Sequence, residues 1–146
     1  MIKAKDLRIG DLVIVNENCS LEQGTIGKVS EVRSTPLYKE NEGSIGLKPI
    51  SDDRWPWGVL CRNIDPIPLT PEILEKNGWK KRTEGWYFMM ISKYMYLSVE
   101  FGYENGIRVF LKRTTDGLYV KLNVANNVHE LQHILWALGK DANLKI

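Results

Sequence analysis

The chain has 146 residues, 43% hydrophobic and 26% charged, which suits one folded domain or two small modules and excludes a disordered or fibrous chain. Twenty Lys and Arg against eighteen Asp and Glu give a net charge of +2, too weak to imply nucleic acid unless the cations cluster on one face. Cys19 and Cys61 form neither a CxxC pair nor a disulfide framework, which points to free thiols in a reducing compartment.

The start, Met1 to Asp6, is charged with no apolar run behind it, and no stretch is long enough to span a membrane. A cytoplasmic protein without a membrane partner is therefore expected. Residues 1–68 read as β. Leu7-Arg8-Ile9-Gly10-Asp11 leads into a short buried strand, Leu12 to Val15. Gly24 to Val32 is a second strand whose apolar Ile26, Val29 and Val32 are three apart, which predicts a bulge at Gly27. Residues 34–44 are polar and carry Pro36 and Gly43, a loop. Ile45 to Lys48 and Gly58 to Cys61 are further strands. Short strands joined by Gly-rich turns predict a small closed SH3-like barrel. Trp55-Pro56-Trp57 reads either as an exposed aromatic clamp on it or as a plug closing it.

Asp65-Pro66-Ile67-Pro68 marks the boundary between modules 1–68 and 69–146, since two prolines in three residues stiffen the chain and are expected to keep it out of a ladder. A helix start follows: Thr70 caps, Pro71 takes the first turn, Leu69 staples to Leu74, and Gly78 ends it. Four strands then alternate with turns over 86–91, 94–101, 107–113 and 118–124, with Asn105-Gly106 and Asp116-Gly117 as hairpin signals. Asn127 caps a last helix, Val128 to Leu138, ended by Gly139. The fold class is α+β: a barrel followed by a four-stranded antiparallel sheet with two helices.

On that last helix His129-Glu130-Leu131-Gln132-His133 spells HExxH, which sets two imidazoles one turn apart beside a carboxylate. A zinc metallopeptidase would use His129 and His133 as ligands and Glu130 as general base. It needs a third ligand, and the chain has no other histidine. The metzincin extension also fails, because its positions hold Trp136 and Gly139. Val128, Leu131, Ile134, Leu135 and Leu138 form one apolar stripe, which turns the histidines toward solvent or a partner. The expected protein is therefore non-enzymatic with no cofactor, and the zinc hydrolase is the competing reading.

Period-2 alternation sorts the sheet. Met95, Leu97, Val99 and Phe101, then Ile107, Val109 and Leu111, then Leu118, Val120, Leu122 and Val124 share the core face. The opposite face displays Tyr94, Tyr96, Ser98 and Glu100, then Arg108, Phe110 and Lys112, then Tyr119, Lys121 and Asn123. Rings interleaved with cations suit single-stranded nucleic acid, with bases stacking on the rings and phosphates meeting Lys and Arg. Tyr96, Arg108, Phe110, Lys112, Tyr119 and Lys121 are the candidate binding residues, for a protein or a single-stranded nucleic acid. A homo-oligomer burying the same face is a further reading. The basic run Trp79-Lys80-Lys81-Arg82 reads as a solvated turn.

Two resemblances add to this. Gly10 to Val15 followed by Gly24 to Val32 resembles the KOW pattern of SH3-like barrels, departing from it at Asn18 and Gln23, and implies a barrel of a kind that often binds RNA or proteins. The blocks Leu7 to Val13, Ile67 to Leu74 and Val128 to His133, in that order, resemble a family of small proteins encoded in Bacteroidetes genomes, often in phage-like or mobile regions. That family more usually carries Asn where His133 stands, which makes the HExxH match incidental to its pattern. The resemblance implies cytoplasmic location and mobile-element origin and carries no chemistry.

Overall fold

The structure, a computed structural model, describes residues 2–17, 19–33, 43–52 and 55–146. The loop expected over 34–44 falls mostly outside them, as does Asn18. Contacts divide the chain into two units, Met1–Ile67 and Pro68–Ile146.

The first unit holds β1 (Leu12–Val15), β2 (Ile26–Arg33), β3 (Ser44–Pro49), β4 (Trp57–Leu60) and β5 (Ile64–Pro66). They form one antiparallel sheet in the order β4-β3-β2-β1-β5. Among the described residues no ladder joins β4 to β5, so the sheet is open rather than the closed one expected. The turn into β1 is built by Asp11, whose Oδ2 accepts from the Arg8 N–H at 2.7 Å, and by Gly10 at φ 99°. The core gathers Val13, Val15, Val29, Ile45, Leu47, Val59 and Ile64.

Three local expectations need correcting. The bulge in β2 falls between Val29 and Glu31, not at Gly27. Gly27 is instead a close-packing position: a Cβ there would meet Leu47 Cγ at 2.6 Å. Pro66 does enter a ladder, opposite Val13, because β5 is an edge strand and a proline there sacrifices no internal bond. Trp55 and Trp57 are 85% and 45% exposed, which removes the plug reading.

In the second unit Thr70 Oγ1 accepts from the Ile73 N–H at 3.4 Å and starts α1 (Pro71–Lys76), with Leu69 and Leu74 both buried. The sheet that follows has five strands, not four: β6 (Lys80–Thr83), β7 (Trp86–Ser92), β8 (Met95–Glu100), β9 (Arg108–Arg113) and β10 (Tyr119–Val124), a meander in the order β10-β9-β8-β7-β6. The extra strand is the basic run read as a turn. All four of its residues are exposed, so it lacks the apolar alternation that announces a strand. It is an edge, where charged side chains discourage pairing with other chains.

The last helix, α2 (Val128–Ala137), buries Val128, Leu131 and Leu135, and lies along β10. Its buried set also includes His129, at 6% exposed, and Gln132. The expected solvent-facing histidine pair is therefore corrected: His129 is inside and only His133 is partly open. Gln132 is buried because its amide donates to the Ala142 carbonyl at 2.8 Å and anchors the C-terminal tail. Asn77 holds the same tail, exchanging two 2.8 Å bonds with the Lys145 backbone.

Candidate functional site

The antiparallel register sorts the second sheet into two faces. One carries the cross-strand rows Lys81–Tyr87–Val99–Val109–Asn123 and Met89–Leu97–Leu111–Val120. Tyr87, Leu97, Val99 and Val109 are buried there. The opposite face carries Trp86–Glu100–Arg108–Val124, Lys80–Phe88–Ser98–Phe110–Lys121 and Met90–Tyr96–Lys112–Tyr119.

All six candidate binding residues lie in these last three rows. Tyr119 is 65% exposed, and Lys121 is exposed as well. Tyr96 and Arg108 are half-buried. Phe110 is buried, with the Tyr119 ring edge-on to it at 5.7 Å. Lys112 is drawn inward, with Nζ 2.6 Å from Glu100 Oε1. The same ammonium lies 4.4 Å from the Trp86 ring centroid, 5.0 Å from Phe110 and 5.8 Å from Tyr119.

Glu100 is the single carboxylate in the three rows and takes three donors. It accepts from Lys112, from Ser98 Oγ at 3.2 Å and from the Tyr103 hydroxyl at 3.1 Å. That last bond holds the Tyr103 phenol above the usual tyrosine range. The Trp86 indole donates to Ser98 Oγ. Arg108 stacks on Tyr103, its guanidinium carbon 3.7 Å from the ring centroid. Among the described residues its Nε is a buried donor without a hydrogen-bond partner.

Sequence reasoning missed Trp86 and Phe88, because every residue from Trp86 to Ile91 is apolar or aromatic and alternation assigns no face. The tight Lys93-Tyr94 turn sets Ser92 opposite Met95, but a bulge between Met90 and Ser92 shifts the pairing by one, so the turn extrapolated alone would put Phe88 opposite Val99 on the wrong face. It missed the edge cations for the same reason it missed β6. Lys80 stands beside Phe88, and the Arg82 guanidinium sits 4.7 Å from the Trp86 centroid. One residue is removed from the face: a bulge between Lys121 and Asn123 sets Asn123 opposite Val109 and moves Val124 opposite Arg108. The chain from residue 68 onward holds eleven Lys and Arg against eight Asp and Glu, while residues 1–67 hold nine against ten. The small positive charge of the whole thus belongs to the second unit.

On α2 the His129 and His133 rings stand 5.8 Å apart, edge to face. Glu130 is turned back on the helix start, where Oε2 accepts from the Asn127 N–H at 3.0 Å. Its carboxylate therefore caps the helix start, and the Asn127 side-chain amide donates to the same oxygen at 3.3 Å. No group of three or more His, Cys, Asp or Glu side chains is gathered among the described residues. His133 and Glu130 line a groove of about 440 Å³ with Ile134, Ala137 and Leu138, and its far wall is Leu122 to Val124. Among the described residues no helix is long and apolar enough to cross a membrane. Compared with family models, curated proteins and solved structures, the chain matches none.

Proposed function

We propose that this is a cytoplasmic, non-enzymatic binding protein that holds single-stranded nucleic acid on the aromatic and cationic face of its second sheet. The observation that carries the reading is the register. It gathers the rings of Trp86, Phe88, Tyr96, Phe110 and Tyr119 with Lys80, Arg108, Lys112 and Lys121 around one carboxylate, Glu100. Rings stack on bases of any sequence, and cations at the edges meet the backbone, so recognition is by stacking and charge. The inner members position the outer ones: Phe110 and Lys112 hold the Tyr119 ring, which is left open to a base. For the first unit, we read the strand order, together with the short 3-10 turn Cys61–Asn63 before β5, as an SH3-like module.

Fluorescence anisotropy with labelled oligothymidine and oligouridine tests the proposal. If about three phosphates are neutralised, affinity falls about twenty-fold between about 50 and 200 mM salt. Tyr119→Ala weakens binding roughly tenfold, the loss of one stacked base at about 1–3 kcal/mol. Binding that ignores both salt and Tyr119→Ala, or no binding at the lower salt, contradicts the reading.

A further inference from the structure

The two edges of the second sheet are built differently. The β6 edge is covered by Lys80, Lys81 and Arg82, the usual protection against pairing with another chain. The β10 edge carries only one cation along its straight part, Lys121. Leu118, Tyr119 and Val120 are 59%, 65% and 61% exposed, and the bulge that twists the strand comes only after Lys121. An edge of large apolar residues is a template for a further strand.

We propose that this edge pairs with β10 of a second copy of the chain, antiparallel and centred on Val120. The argument for a second copy is that the strand complements itself in that register. Val120 falls opposite its own mate, Leu118 opposite the mate's Leu122, and Tyr119 opposite the mate's Lys121. Apolar residues meet apolar ones on the α2 side, and ring meets cation on the other. Sliding the centre to Lys121 sets two lysines face to face, and sliding it to Tyr119 drives the pairing into the 114–117 turn. The backbone is compatible. The Leu118 carbonyl accepts from the Arg113 N–H at 2.8 Å and so points toward β9. Alternation then turns the N–H and C=O of Tyr119 and Lys121 outward, where the two copies exchange about four hydrogen bonds. The joined sheets set the two aromatic faces side by side. The inference rests on the edge alone and is independent of the nucleic-acid reading.

A contact this short belongs to the small-interface class, so association at about 10–100 μM is expected. Sedimentation velocity of the full chain, without nucleic acid, shows a concentration-dependent rise from one chain mass to two. Val120→Lys places like charges on the two-fold axis and returns the protein to one chain mass with unchanged circular dichroism. A second variant reads the register. In a Cys19→Ser background, Val120→Cys forms an intermolecular disulfide under mild oxidation, and Tyr119→Cys does not, because only residue 120 meets itself. A single chain mass at every concentration overturns the proposal. So does a dimer that survives Val120→Lys, or cross-linking that favours position 119.

Discussion

Glu100 is the residue on which the second unit's polar face is organised. It draws Lys112 inward and accepts from Ser98 and Tyr103, with its own side chain 15% exposed. Breaking such a network leaves partly desolvated groups without partners, so its members are expected to matter more than surface ion pairs do. The Tyr103 hydroxyl is its titratable arm. The bond to Glu100 favours the protonated phenol and raises its pKa. A group raised on folding lends stability that is complete below its unfolded value, about 10 for tyrosine, and is lost as pH climbs through the folded one. The urea midpoint of the natural protein is therefore expected to exceed that of Tyr103→Phe at neutral pH. The gap should close above about pH 10. A gap that stays constant to high pH would show that the hydroxyl bond contributes nothing.

At the scale of elements, Glu130 closes the capping box of α2. Its carboxylate meets the Asn127 backbone N–H at the start of α2. Glu130→Ala should lower stability by about 1 kcal/mol in urea unfolding, while Glu130→Gln, whose amide oxygen still accepts, should lose less. Equal midpoints for the natural protein and Glu130→Ala would remove the capping role. This helix also shows what was legible in the sequence. Its bounds, its cap and its buried Val128, Leu131 and Leu135 follow from periodicity. The burial of His129 and Gln132 does not, because the apolar pattern of the helix does not register the tail that folds back over it, where Gln132 bonds the Ala142 carbonyl. Strands β8 and β9 were readable because polar and apolar residues alternate in them. β7 gave no facing because both of its faces are apolar, and β6 gave no strand signal because its residues are all exposed. In β10 the bulge after Lys121 flipped Asn123 and Val124 from their expected sides. A one-residue irregularity of that kind leaves no trace in composition. The five-stranded first unit lost only β5, whose Pro66 reads as a breaker until its place at an edge is known.

For the whole molecule, charge is divided unevenly. The slight excess of cations lies in the second unit, and within it on the face that also holds the rings. An anionic single strand should therefore perturb one face of one sheet and leave the first unit unchanged. The most direct measurement is a heteronuclear NMR titration of the full, isotope-labelled chain with oligothymidine at low salt. The account predicts shifts concentrated at Trp86, Phe88, Tyr96, Arg108, Phe110, Lys112, Tyr119 and Lys121, with Val99 and Val109 on the opposite face moving little. Shifts confined to residues 1–67, or spread evenly over both faces of the sheet, would contradict it.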